Sequence, residues 1–299
     1  MSKQALCALL DEWLKHKKNS VKTSSFNIYQ SIIKNNITPQ LGHLLVVDLN
    51  EQIFKDYYYQ FIETRSNTYI TTIFNILVSS LNSYPMKQKM LKKFINENIN
   101  TKVIKKSYML LSKKQIEHMI QILIVNKNKY YIGILIAICT GMRIGEICAL
   151  RFSNIDLENH LIFVEKTIYR IKDSFKGSTL VMTTPKTIHS QRVLPIHKHI
   201  YTELLSLYSH STDYVLTQSK VPLDPRILRR QFKLFLEKYD FMDMRFHDLR
   251  HSFANLCFDQ GVDFKSISEL LGHANIATTL NLYVHSNIKK KQKYIDELF

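Results

Sequence analysis

The chain has 299 residues, enough for two domains of ordinary size. Its 41 Lys and Arg residues outnumber its 25 Asp and Glu residues, and the net charge of +16 favours a polyanionic partner such as nucleic acid, although an AT-rich gene would also enrich lysine. The cysteines Cys7, Cys139, Cys148 and Cys257 are too scattered for a zinc site or a disulfide framework, so we predict reduced thiols and neither a metal nor a cofactor.

The first segment, residues 1–93, repeats apolar residues at helical spacing, as in LCALLDEWL. It predicts an all-helical domain in which Thr38 to Gly42 form a loop and end a helix that begins near Thr23. The N-terminal stretch MSKQALCALLDEWLKHKK places acidic residues inside its apolar part and has no small-residue cleavage site, which argues against a signal peptide. We therefore expect a cytoplasmic protein.

Residues 94–111 are predicted to connect two domains, because the Asn-rich stretch INENIN interrupts the apolar pattern and positive charge accumulates around it. Two interpretations stay open: a solvated charged linker, or a strap that lies along DNA phosphates. The lysines that would form this strap are Lys87, Lys89, Lys92, Lys93, Lys102, Lys105 and Lys106.

The second domain, residues 112–299, begins at Ser112, a residue typical of helix N-caps. Its longest apolar run, Tyr130 to Cys139, has about half of the roughly 20 residues that span a bilayer, so it predicts a buried helix and no membrane partner. Between His160 and Pro195 the β-branched runs LIFVEKTIYRI, STLVMTT and SQRVLPI predict one antiparallel sheet of three strands, and helices follow. The predicted fold class is mainly α with a small antiparallel β-sheet (α+β).

Two pairs of charged residues in this domain recur at a spacing of three. Arg143 and Glu146, in TGMRIGE, follow a Thr-Gly break, and His247 and Arg250, in HDLRH, begin a helix whose opposite face is apolar. Residues three apart share a helix face, so the members of each pair are neighbours. Taken singly, the first pair would be an ordinary surface salt bridge and the second a solvated helix end.

Three further residues complete a set: Lys186 in TPKTIHSQ, His273 in LGH and Tyr283 in NLYVH. Alone, Lys186 would be an exposed turn lysine, His273 a helix-capping histidine and Tyr283 a core tyrosine. Their joint order favours another interpretation: arginine, lysine in a hairpin, His-x-x-Arg, Leu-Gly-His, then tyrosine. Guanidiniums can grip the oxygens of a phosphodiester, lysine and histidine can move protons, and a phenol can attack phosphorus.

These motifs resemble the catalytic domain of the tyrosine recombinase (phage integrase) family, and the first segment is similar in size and position to that family's core-site-binding domain. The resemblance implies a site-specific recombinase that cuts and rejoins DNA through a 3′-phosphotyrosine formed by Tyr283. Arg143 and Arg250 would hold the scissile phosphate, and Lys186 would be the general acid for the leaving 5′ oxygen. The assisting residues would be His247, His273 and, as a support of the site, Glu146.

The stretch around the predicted hairpin and the tail LGHANIATTLNLYVH look most like integrases of phages and conjugative transposons. The implied partners are double-stranded DNA at recombination sites, further copies of the chain in a tetramer, and an accessory DNA-bending or excision factor. The chain begins directly with the core-binding unit, which leaves arm sites and accessory factors open. The alternatives are a Xer-like dimer resolvase, a type IB topoisomerase or telomere resolvase, and a catalytically silent DNA-binding regulator.

The C-terminal segment ends in an amphipathic piece in which Tyr294, Ile295 and Leu298 cluster. The family resemblance implies that this tail docks on a neighbouring subunit, and packing on its own domain is the alternative.

Overall fold

The computed structural model describes residues 4–99, 109–126, 128–173, 177–184, 191–208 and 213–272. Residues 1–106 belong to one compact unit, and residues 107–170 and 179–299 to a second. Among the described residues, no helix is long and apolar enough to cross a membrane. Several residues singled out from the sequence lie outside the described ranges: Lys102, Lys105, Lys106, Lys186, His273, Tyr283, Tyr294, Ile295 and Leu298.

The first unit is helical in its described part, as predicted. Its helices are α1 (Leu6–Ser20), α2 (Thr23–Ile32), α3 (Thr38–Leu41), α4 (Glu51–Ile62), α5 (Asn67–Ser80) and α6 (Pro85–Asn98). Asn50 and Ser66 begin α4 and α5, because their side chains accept hydrogen bonds from first-turn N–H groups. The apolar faces meet in one core that includes Leu10, Ile37, Phe54, Phe74 and Phe94.

The helix that begins at Thr23 continues through the segment predicted as a loop. A π-helical turn, Ile33–Ile37, joins α2 to α3, and the helical stretch ends only at Leu41. Pro39 lies in the first turn of α3, directly after this π-helical turn, and the helix continues through it. The loop prediction for Thr38 to Gly42 was therefore wrong.

The start of the predicted linker is corrected by α6, which runs on to Asn98. Phe94, Ile95 and Ile99 are buried in the core of the first unit. Their burial removes apolar surface from water, so these residues belong to the helical unit and not to a solvated connection.

The structure also changes the interpretation of the strap lysines. Lys87 is half-buried, and its Nζ donates to the carbonyl oxygens of Val47 at 2.7 Å and Leu49 at 2.5 Å. This ammonium therefore stabilises the turn before α4, which is a structural role that the sequence did not indicate. The lysines of α6 that remain exposed are Lys89, Lys92 and Lys93.

In the second unit the helices are α7 (Lys113–Val125), α8 (Tyr131–Thr140), α9 (Ile144–Ala149), α10 (Lys198–Leu207), α11 (Pro225–Lys238), α12 (Phe246–Asp259) and α13 (Phe264–Leu271). Ser112 caps α7 as predicted, in a reciprocal capping box with Gln115. Helix α8 is apolar on all sides, and it is buried because α7, α10 and α12 pack around it. The predicted buried helix is confirmed.

The strands are β1 (Ile155–Asp156), β2 (Leu161–Val164), β3 (Thr167–Asp173), β4 (Gly177–Thr183) and β5 (Arg192–Pro195). They form two sheets where the sequence predicted one. The first has the order β1-β2-β5 with antiparallel pairs such as Ile162 opposite Leu194, and the second consists of β3 and β4. The run LIFVEKTIYRI divides because Glu165 and Lys166 are both exposed, which breaks the alternation of a single strand.

Candidate active site

Arg143 and Glu146 lie at the start of α9, directly after the left-handed Gly141 (φ 66°) that ends α8. The backbone N–H of Arg143 donates to Glu146 Oε2 at 2.9 Å, and its Nη1 donates to Oε1 at 2.8 Å. The Glu146 side chain is 2% exposed and that of Arg143 35%. The pair is therefore not an ordinary surface salt bridge, since a buried carboxylate orients a guanidinium that reaches the surface.

Arg250 lies one turn into α12 and is 2% exposed. Its Nη1 donates to the carbonyl oxygen of Gly141 at 2.8 Å, and its Nη2 donates to that of Leu271 at 2.5 Å. It joins α12 to the ends of α8 and α13. The alternative of a solvated helix end is thus wrong for Arg250.

A third arginine, Arg192 of β5, belongs to the same cluster and was not singled out from the sequence. Its Nη2 donates to Glu146 Oε2 at 2.9 Å, its Nη1 to Oε1 at 3.3 Å, and its Nε to the carbonyl oxygen of Leu270 at 2.7 Å. Arg192 and the buried Leu194 lie two apart, on one face of the strand. An arginine at an inward-facing strand position was the signal that could have identified it.

The three arginines meet at the C-terminal end of α13. Three consecutive carbonyl oxygens accept one guanidinium each: Leu270 from Arg192, Leu271 from Arg250, and Gly272 from Arg143 at 3.2 Å. The last carbonyls of a helix lack helical partners and carry partial negative charge, so cations are stabilised there. The arginine cluster therefore fixes the helix end that immediately precedes His273 in the sequence.

The charge of Glu146 is held by the same arginines. Burial alone would raise the pKa of this carboxyl. The hydrogen bond and charge of Arg192, together with the charge of Arg143, outweigh burial and lower the pKa below its usual value of 4.5. Glu146 is therefore ionised at neutral pH.

His247 and His251 lie one turn apart on α12, with ring centroids 4.8 Å apart. The pKa of His247 is lowered below 6.5, first by partial desolvation of its ring and then by the charges of Arg250 and Arg143. Burial and the neighbouring His247 lower the pKa of His251 to about 4. At neutral pH the His247 imidazole is therefore uncharged, which leaves one ring nitrogen able to accept a proton.

Beside His247 lies a cavity of about 450 Å³ that the sequence did not predict. Its apolar lining comes from residues that flank Arg143 and from the start of α12. Two of its basic side chains are ion-paired, Lys233 with Asp243 and Arg245 with Asp248. The residues that line it are Met142, Ile144, Arg229, Lys233, Arg245, Phe246 and His247. An anionic ligand placed here would meet positive charge next to the arginine cluster.

The structure thus brings together Arg143, Glu146, His247 and Arg250 of the predicted site. The positions of Lys186, His273 and Tyr283 lie outside the described residues. Within those residues, no group of three or more His, Cys, Asp or Glu side chains is arranged to hold a metal ion.

Two protein-family models match this chain. The model of the phage integrase family matches residues 109–290, and that of the phage integrase N-terminal SAM-like domain matches residues 6–62. The ICEBs1 integrase of Bacillus subtilis (strain 168) is 33% identical over 177 residues, which cover 54% of this chain and 46% of that relative. The match thus spans about half the length of this relative. The integrase of Staphylococcus phage L54a is 26% identical and covers 97% of this chain and 91% of its own.

Among solved structures, the Tn1549 transposon integrase in complex with a circular intermediate DNA has the same fold, with a TM-score of 0.81 at 20% identity over 99% of both chains. The family match to residues 109–290 covers more than half of the chain, and it includes the three arginines that meet at the end of α13. The chain belongs to the phage integrase family of tyrosine recombinases.

Proposed function

We propose that this protein is a site-specific DNA recombinase of a mobile element, which cuts and rejoins DNA through a 3′-phosphotyrosine intermediate. The observation that carries the proposal is the placement of Arg143 and Arg250, whose guanidiniums bind the adjacent carbonyls of Gly272 and Leu271 although the two residues belong to different helices. Two guanidiniums that bind adjacent carbonyls are near enough to each other to bind the oxygens of one phosphodiester. The substrate would be double-stranded DNA in the cytoplasm, bound by a tetramer.

Arg143 is the arginine best placed to meet the scissile phosphate first. Its Nη1 and Nη2 each bind a protein oxygen, and the side chain is still one-third exposed, with further N–H groups to donate. Arg250 supplies charge from a buried position, where the lower local dielectric strengthens its attraction for a phosphoryl oxygen. Charge on a phosphoryl transition state spreads over its oxygens, so preorganised arginines lower the barrier.

The proton transfers follow from the residue types. Tyr283 would attack phosphorus, the bond from phosphorus to the 5′ oxygen would break, and Lys186 would give that oxygen a proton. A free tyrosine has a pKa near 10, so at pH 7 only about one side chain in a thousand is a phenolate. This corresponds to a free-energy deficit of roughly 4 kcal/mol, which a base must offset. We assign this role to His247, which is neutral at that pH and can accept the phenolic proton. His273 would assist at the same phosphate.

Rejoining needs no external energy in this scheme. The phosphotyrosine keeps the energy of the broken phosphodiester, and a 5′-hydroxyl from another strand can attack it, release Tyr283 and regenerate the DNA backbone. The same chemistry would serve a type IB topoisomerase or a telomere resolvase, which act without recombining two duplexes. An assay with two sites on separate duplexes distinguishes these functions, because only a recombinase yields exchanged products.

Covalent trapping tests the proposal. The wild type is incubated with DNA from the boundary of the encoding element, nicked near the cleavage site so that the cleaved strand cannot be rejoined. We expect an SDS-resistant adduct that Tyr283→Phe abolishes and that Tyr208→Phe, a change at an exposed tyrosine of the same unit, leaves intact. Binding to this DNA without an adduct would instead favour a regulator or a requirement for an accessory protein.

A further inference from the structure

We propose that Arg192 is a positioning residue of this active site, which does not touch DNA but holds both Glu146 and the C-terminal end of α13 in the places that cleavage requires. The inference rests on the proposed recombinase function and goes beyond the family's set of predicted catalytic residues. It depends on the contacts of one buried side chain.

Burial together with the ion pair to Glu146 argues against direct recognition of DNA by Arg192, because Arg143 is more exposed and the hydrogen bonds of Arg250 described above go to backbone carbonyls. The Arg192 side chain is 5% exposed, against 35% for Arg143, and its guanidinium donates to protein oxygens of two elements: Nε to the carbonyl of Leu270 and both Nη atoms to Glu146. A guanidinium taken out of water is stabilised only when charge and hydrogen bonds compensate it. Glu146 and Leu270 supply that compensation, so Arg192 is held in one orientation.

The first consequence concerns Glu146. Each of its oxygens accepts from both arginines: Oε1 from the Nη1 atoms of Arg143 and Arg192, and Oε2 from the Arg143 backbone N–H and from Arg192 Nη2. Arg192 thus binds both oxygens of the carboxylate in addition to Arg143. Without it, the carboxylate would depend on Arg143 alone, and the guanidinium that is to meet the phosphate would lose its rigid partner.

The second consequence concerns the segment that leads to the nucleophile. Helix α13 packs against β5, and Arg192 Nε binds the carbonyl of Leu270 at 2.7 Å. Leu271 and Gly272, the next two residues, bind the two proposed phosphate ligands. His273 follows directly, and Tyr283 is ten residues further along. A shift of this helix end would therefore misplace the arginines and the start of the Tyr283 segment together.

A purely structural role of Arg192 predicts a different result from a positioning role. If Arg192 only stabilised the fold, its loss would lower the folded fraction, and DNA binding and cleavage would fall together. A positioning residue affects the cleavage rate of the folded, DNA-bound protein while affinity is kept. A displacement of about 1 Å in a reacting group can cost on the order of a hundredfold in rate.

The test measures the single-turnover rate of adduct formation at saturating protein on the nicked substrate, and separately the Kd for the same DNA. For Arg192→Met we expect the rate to fall by about a hundredfold and Kd to change by less than about threefold. Arg192→Lys keeps the charge beside Glu146 but cannot reproduce the bidentate geometry together with the bond to Leu270, so its rate should be intermediate. Arg151→Met is the matched control, because Arg151 is also partly buried and bonded, to Tyr214, but lies outside the cluster; its rate should stay within about twofold of the wild type.

Circular dichroism at the assay temperature confirms that each variant is folded, and if Arg192→Met is not, the comparison of rate and Kd is made on Arg192→Lys. A rate equal to that of the wild type, or a Kd that rises as much as the rate falls, would overturn the positioning role. A wild type that forms no Tyr283-dependent adduct would overturn the proposed function itself, so the two failures are distinguishable.

Discussion

Replacing Gly141 with alanine should destabilise the second unit by about 2–5 kcal/mol, because two separate costs add. The φ of 66° is left-handed, and a Cβ in that region costs about 1–2 kcal/mol. The added Cβ would also lie 2.6 Å from Phe253 Cδ1 and 2.9 Å from Leu271 Cδ2. Overpacking of this kind costs about 1–3 kcal/mol, and relief would have to move the side chains of Phe253 and Leu271.

Gly261 offers a matched control for the first cost alone. Its φ is 82°, and a Cβ added there would meet nothing within 4 Å, so Gly261→Ala should cost only the left-handed penalty of about 1–2 kcal/mol. The difference between the two variants in free energy of unfolding is therefore the cost of the steric overlap at Gly141.

Urea unfolding followed by circular dichroism measures both variants. The single tryptophan, Trp13, lies in the first unit, so its fluorescence serves as an internal reference that neither substitution should shift. Equal destabilisation by Gly141→Ala and Gly261→Ala would refute the steric argument. A Gly141→Ala variant as stable as the wild type would refute both the steric and the left-handed cost.

Three further predictions concern charged and titratable groups of the second unit. Glu146→Gln should cost about 3 kcal/mol in urea unfolding, because two arginines lose a buried counter-charge, whereas the exposed Glu158→Gln should stay within about 0.5 kcal/mol. The pKa of His251 is about 4 in the folded chain and near 6.5 in the unfolded one, so between these pH values the unfolded chain binds the extra proton; stability should fall by roughly 3 kcal/mol as pH drops through this window, and His251→Gln should show a shallower slope. Asp224→Ala removes the N-cap of α11 together with its ion pair to Arg170, so its unfolding midpoint should fall by more than that of Arg170→Met, which breaks the ion pair and keeps the cap; equal midpoints would contradict the capping role.

Local signals in the sequence predicted the elements that carry the site. The capping residue Ser112, the apolar run of α8 and the charged pair at the start of α9 each depend on residues within one or two helical turns, and the structure confirms all three. The loop predicted near Pro39 failed because the π-helical turn before it is stabilised by packing of Ile33 and Ile37 in the core, which no local pattern shows.

Long-range contacts account for the parts of the site that the sequence did not predict. Arg192 is 46 residues from Glu146 and 78 from Leu270, so its role depends on how β5 packs against α13 and places Arg192 beside Glu146 of α9. The strand pattern nevertheless indicated the position of Arg192, because an arginine that alternates with the buried Leu194 faces inward, and an acidic partner stabilises a buried arginine. Glu146 was already predicted to support the site and to be a neighbour of Arg143, but no second partner was predicted for it. A charged residue at an inward-facing strand position, together with an acidic residue in a predicted motif, is therefore the sequence signal that indicates the arginine completing the cluster.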